Sequence, residues 1–459
     1  MWAHDGGTIV TTGPVTATTS GAYAYGAYAA SGGSITIDQA GSTISASHDD
    51  GSAVVATGTG SRIELRNGIG ITAVNGAPFS SGYGFPATNS AYISADGCSV
   101  TNTRSDGARA AGNSIIELSN GAITIENGSG NIGLGGDGQI NANAVVVNVS
   151  GPGAYGVSAD GIVNLTNGTQ IITTGVGFGV TTFGGQINVD ASTIRTAAGT
   201  GVYSQFSGQV TLANESQVIT TGANTYGIDT YDRNTIEILS GSSVTTTGAN
   251  SAIARLGERT TIAVVDSALQ ASGAGSAGIV TDGSILTEFS MTNSTLQTAS
   301  GPALSVTPGA LNATVNNSTI TSGTELLNVG PTGVLNIDAT NSTVTGVATT
   351  ASGGTAELNL VGSSVWNITG NSSLTHLATQ IGSVAQFTPP PSAAGPYKTL
   401  TVTNYFGLRG TVGINTHLGS DGSPSDRMII DGGAGIGSAF YPSTTSAAPV
   451  HLPQMTASS

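Results

Sequence analysis

Residues 292–298 read TNSTLQT, residues 316–322 read NNSTITS, and residues 340–346 read TNSTVTG. Asn293, Asn317 and Asn341 are separated by 317 − 293 = 24 and 341 − 317 = 24 residues, and each is followed by Ser, Thr and an aliphatic residue. Outward from these copies, DSAL, GSSV, ESQV, ASTI and GTQI supply Leu269, Val244, Val218, Ile194 and Ile171 at matching intervals. Val147, Ile123, Val100, Ile71 and Ile44 continue the series backwards, and Val365 follows Val344. Fourteen rungs over 365 − 44 = 321 residues give about 25 residues per step, a period of solenoids and repeat arrays.

The unit is clearest in GVYSQFSGQVTLANESQVITTG, residues 201–222. A strand around Val202, a Gly turn, an alternating strand with Val210 and Leu212, an Asn turn and a third strand at Val218 make three short strands per turn. That predicts an all-β fold, a right-handed parallel β-helix of about 24–25 residues per coil, since parallel crossovers are overwhelmingly right-handed. Coils stacked about 4.8 Å apart would give a rod of roughly 67 Å for fourteen rungs. Aliphatic residues would line the axial core, Thr, Ser and Asn the outside, and repeated Asn at a turn would form an amide ladder. Leucine-rich repeats share the period but need a Leu-rich frame that is missing, and propeller blades need longer repeats.

Composition agrees with a repeat array. Only 8% of residues are charged and 5% aromatic, while 69 are Gly. The net charge of −15, from 26 acidic and 11 basic residues with Lys398 as the sole lysine, leaves no basic patch for nucleic acid. Cys98 is the only cysteine and cannot close an intramolecular disulfide. The stretch AYAYGAYAA (22–30) has no Lys or Arg ahead of it and reads as a poor signal peptide, and no apolar run is long enough for a spanning helix.

Beyond residue 350 the pattern changes. Ser364-Val365-Trp366-Asn367-Ile368-Thr369-Gly370-Asn371-Ser372-Ser373-Leu374 is followed by Tyr397-Lys398-Thr399-Leu400-Thr401-Val402 and then Ser425-Asp426-Arg427-Met428-Ile429-Ile430-Asp431-Gly432-Gly433. In order and spacing these motifs, over roughly 352–437, resemble the C-terminal passenger module of the pertactin-like autotransporters of Gram-negative bacteria, the autochaperone region. The Gly/Thr/Asn-rich repeats upstream look like that family's β-helical passenger. The division expected is a β-helical passenger over 1–350, an autochaperone module over 351–437 that caps the helix, and an irregular tail over 438–459.

The resemblance implies a surface-displayed or secreted passenger, exported unfolded through an outer-membrane β-barrel and folded from its C-terminal module. Trp366, Leu374, Leu400, Asp426 and Ile430 are the residues expected to hold that module together. The sequence after the third motif has none of the alternating ten-residue strands of a membrane barrel. A passenger fragment or a frame-disrupted gene is therefore expected, or a passenger whose barrel and signal are supplied elsewhere.

Catalytic motifs are missing: no G-x-S-x-G, no H-E-x-x-H, no cysteine pair for zinc and no P-loop, so no cofactor or metal is expected. GGDGQI (135–140) half-matches a calcium-binding repeat but has Ile140 where an acid is needed, and reads as a turn. The alternative to a binding protein is a polysaccharide-degrading β-helix enzyme, with Asp229 and Asp232 of YGIDTYDR (226–233) as its paired acids. The plainer reading makes Asp232 and Arg233 a solvated turn pair. For binding, the longest interval between rungs holds APFSSGYGFPATNSAY (77–92), a loop with Phe79, Tyr83, Phe85 and Tyr92 to meet a host or neighbouring-cell ligand, protein or glycan. Tyr155, Phe178 and Tyr226, each two residues before a first-strand aliphatic, form a second aromatic set, a column interrupted at Thr200 that is either exposed or packed as buried stacking.

Overall fold

The computed structural model describes all residues except 49–51, 74–78, 82–89, 103–105, 127–129, 394, 420–421 and 433–459. The chain is all-β, with parallel strands stacked as a β-solenoid of about 17 turns. It divides into two compact units, Met1–Ser251 and Ala252–Ser459.

In the first unit each coil carries three short strands on three faces. Tyr155–Ala159, Ile162–Thr166 and Gln170–Thr173 pair in parallel with Phe178–Phe183, Gln186–Asp190 and Thr193–Thr196 of the following coil. The period-2 pattern on the second face puts one aliphatic row through Ile35, Ile63, Ile93, Ile116, Ile140, Val163, Ile187, Val210 and Ile236. Each member of this row is 0–1% exposed, so successive coils bury like against like. The third-face row runs Ile44, Ile71, Val100, Ile123, Val147, Ile171, Ile194, Val218 and Val244, as the period predicts. Opposite it on the first face stands glycine: a Cβ at Gly179 would lie 2.4 Å from Ile194 Cγ2, and one at Gly201 2.4 Å from Val218 Cγ1. The core is too narrow there for any side chain to face a branched aliphatic.

In the second unit the third-face row runs through Leu269, Leu296, Ile320 and Val344. The next rung is Trp366 and not Val365: Val344 pairs with Trp366, which is 0% exposed, while Val365 is only half-buried. The step from 344 to 366 is 22 residues, two short of the preceding 24, so a count at constant period lands beside the core position. Ala17 before Ile44, and Ala385 and Val412 after Trp366, add three rungs that the aliphatic pattern does not mark. The strands also lengthen. Second-face strands grow to Gly309–Asn316, Gly333–Thr340, Ser372–Gln380 and Thr399–Leu408, of 8, 8, 9 and 10 residues. Thr319–Val329 pairs with both Thr295–Thr298 and Leu304–Val306, fusing two faces into one 11-residue strand.

The Asn-Ser-Thr phrase has a specific architecture. Asn293, Asn317 and Asn341 adopt φ of 50°, 47° and 50°, the left-handed turn that asparagine tolerates better than most residues. Ser294, Ser318 and Ser342 are buried, and each hydroxyl accepts a backbone N–H from the coil before: Ser267 N to Ser294 Oγ at 3.1 Å, Ser294 N to Ser318 Oγ at 3.0 Å, and Ser318 N to Ser342 Oγ at 3.0 Å. The hydroxyls donate back to carbonyls, as Ser342 does to Thr340 at 2.8 Å. Asparagine contributes at this corner too, Asn293 Nδ2 donating to Asp266 Oδ1 at 3.0 Å and Asn341 Oδ1 accepting Ser363 N at 3.1 Å. Asparagine stacks directly on asparagine in the second-face strands, where Asn188 Nδ2 donates to Asn164 and Asn164 Nδ2 to Asn141, both at 2.7 Å.

Candidate functional site

In the aromatic-rich segment 77–92, strand Phe79–Ser81 pairs with Val54–Ala56 and Ala108–Ala110 on the first face. Tyr83 and Phe85 lie outside the described residues. Tyr92 opens strand Tyr92–Asp96 on the second face, where the Arg62 guanidinium sits 4.1 Å from its ring centroid and its hydroxyl donates to Glu117. Burial and the hydrogen bond to Glu117 push the Tyr92 phenol up from its ordinary value.

The second aromatic set is a stack. Tyr155 and Phe178 are in register with ring centroids 5.5 Å apart, and Phe178 stacks on Tyr203 at 4.5 Å and 16°. Tyr203 fills the gap left at Thr200; the sequence pattern misses it because it follows its aliphatic neighbour Val202 instead of preceding it by two. Tyr226 opens strand Tyr226–Thr230, and like the three stacked rings it is half-buried.

The proposed catalytic acids are placed differently from one another. Asp229 is 4% exposed, while Asp232 at the following turn pairs with Arg233 at 3.7 Å. Asp137 of the calcium-like turn accepts the Gly112 N–H at 3.0 Å, and Ile140 belongs to the second-face core. Among the described residues there is no group of three or more His, Cys, Asp or Glu side chains that could hold a metal ion. Burial pushes the Cys98 thiol up to about 11, so it is neutral and unreactive near pH 7.

The C-terminal residues converge more closely. Trp366 is buried and its Nε1 donates to Gly346 O at 3.2 Å. Leu374 and Leu400 are 3% and 0% exposed on neighbouring second-face strands, with Ser372 opposite Leu400 and Leu374 opposite Val402. Asp426, 2% exposed, ties three segments: Oδ1 accepts Lys398 N at 2.7 Å, and Oδ2 accepts Asn415 N at 2.8 Å and Asn415 Nδ2 at 2.7 Å. Lys398 Nζ donates to Thr388 O at 2.6 Å. Strand Arg427–Ile430 then pairs with the start of Thr399–Leu408, with Ile430 opposite Val402 and half-buried. A cleft of about 350 Å³ beside this knot is lined by Thr369, Asn371, Pro389, Pro396, Tyr397 and Lys398 among others, and its lining holds no carboxylate.

No curated protein matches the chain. A family model described as Autochaperone Domain Type 1 matches residues 372–447, which include Leu374, Leu400, Asp426 and Ile430, and start six residues (372 − 366) after Trp366. Such a domain implies a protein that is secreted or associated with the outer membrane, and it suggests a non-catalytic role. An autochaperone domain at the end of parallel β-solenoid coils fits an autotransporter passenger domain.

Proposed function

We propose that this chain is a surface-exposed passenger that works by binding: an adhesin-like protein for contact with a host or neighbouring cell, whose C-terminal module nucleates folding after outer-membrane translocation. The observation that carries the reading is the autochaperone match on a β-solenoid. Growth from a finished end is physically favourable, because each new coil offsets its loop entropy at once by stacking on a folded neighbour. Export itself requires an outer-membrane β-barrel as partner. Binding is preferred over polysaccharide cleavage because Asp229 is buried and Asp232 is engaged with Arg233, whereas acid–base work needs two reachable carboxylates flanking one bond.

The segment 77–92, with Phe79, Tyr83, Phe85 and Tyr92, is the contact segment in this reading, although Phe79 and Tyr92 lie in coil strands rather than in a loop. The test is to incubate the purified chain with matrix proteins, cells and polysaccharides, scoring both retention and new chain ends. Retention without cleavage, lost on deleting residues 77–92, is expected. New chain ends that vanish in Asp229→Asn or Asp232→Asn would replace the adhesin by an enzyme.

A further inference from the structure

Three aromatic side chains stand outside the core at one corner of the first unit. Phe183 ends strand Phe178–Phe183, Phe206 follows strand Thr200–Gln205, and Tyr231 follows strand Tyr226–Thr230; they are 42%, 57% and 60% exposed. Coil stacking brings the three corners together. Phe183 is in register with Gln205, Gly184 N donates to Gln205 O at 3.0 Å, and Ser207 N donates to Asp232 O at 3.1 Å. The Phe206 and Tyr231 rings lie 5.9 Å apart, edge to face at 71°.

The fold does not account for them. Phe206 has φ of 52°, a conformation that among the described residues is taken by asparagine more often than by any other non-glycine residue. A bulky residue strains the backbone there, and a ring left half in water returns little of that cost through packing. Exposed rings grouped on adjacent coils mark a contact surface.

The chemistry around them selects the ligand. An edge-to-face pair leaves an electron-rich ring face open, which attracts the C–H face of a sugar ring. The polar groups at the same corner are already partnered, Asp232 with Arg233 at 3.7 Å and the Gln205 amide donating to the Tyr203 hydroxyl, so the open ring faces carry the recognition. A protein partner would need about 800 Å² on each side with an apolar centre, and three rings flanked by Gly184, Gln205, Ser207, Asp232 and Arg233 do not supply it. Rings on three successive coils fit a linear chain of sugars laid along the coil axis.

We propose that Phe183, Phe206 and Tyr231 form a ledge that binds a linear oligosaccharide by ring stacking. This rests on the reading of the chain as a binding passenger and names a ligand class for it. The test is retention of the full chain on an array of neutral and N-acetylated linear oligosaccharides. Retention on at least one of them is expected, falling about tenfold in Tyr231→Ala and in Phe206→Asn and persisting in Tyr231→Phe. Phe206→Asn should keep or raise the thermal midpoint, because asparagine suits the left-handed turn; a ring that served only the fold would lower it. Equal retention of the variants, or no retention on any oligosaccharide, would overturn the ledge. A chain that held matrix protein through residues 77–92 but bound no sugar would overturn the ledge alone and leave the adhesin reading standing.

Discussion

The first unit and the C-terminal part of the second solve coil stacking with different materials. In the first, strands run mostly four to six residues, and aliphatic rungs face glycine across a narrow core. In the second, strands reach 8 to 11 residues, and the three largest fully buried side chains of the described structure, Trp366, Phe289 and Phe387, all lie there. Longer strands add ladder hydrogen bonds and larger side chains add buried area, so the coils that carry them are expected to open last. The difference is what the folding role proposed above requires: similar coils throughout, but with the longest strands and the largest buried side chains toward the proposed nucleus.

Trp366→Ala should break the comparison most severely, costing about 3–5 kcal/mol through the cavity it leaves. If the C-terminal coils form the nucleus, that loss appears chiefly as slower refolding, measured by stopped-flow fluorescence or circular dichroism. Asp426→Ala comes next. It strands the N–H groups of Lys398 and Asn415, and should lower stability by about 2–4 kcal/mol in equilibrium unfolding, again with slower refolding. Gly179→Ala is the matching lesion in the first unit, where the added methyl meets Ile194 Cγ2 at 2.4 Å. Overpacking of about 1–3 kcal/mol should speed unfolding and leave the refolding rate nearly unchanged. Ser318→Ala removes one ladder hydroxyl, which accepts Ser294 N and donates to Asn316 O, and should cost about 1 kcal/mol, read as a small shift of the denaturant midpoint. Smallest is a chemical contrast: Cys98, held neutral by burial, should resist alkylation at pH 8 in the folded chain and react only once its coil opens.

Much of this was legible in the sequence because a solenoid converts sequence period directly into contact. The rungs from Ile44 to Val344 fall where a step of about 25 residues puts them, since each must stack on the same residue class one coil away. The count slipped at Val365 because the coil shortens to 22 residues there and a tryptophan takes the aliphatic position. Ala17, Ala385 and Val412 were invisible because small or isolated residues carry no pattern of their own. The Asn-Ser-Thr corner is legible from its period, but the serine ladder within it is not, because a buried hydroxyl that both accepts and donates leaves no hydrophobic trace. Tyr203 and the Phe206–Tyr231 pair escaped because cross-coil neighbours depend on register at the turns, which Gly-rich sequence specifies weakly.

The directionality claim is tested most directly by pulse-labelling hydrogen exchange during refolding of the full chain. Amides of residues 356–430 should become protected first, with protection then spreading toward lower residue numbers. Earliest protection within residues 1–251, or simultaneous protection throughout, would contradict a C-terminal folding nucleus.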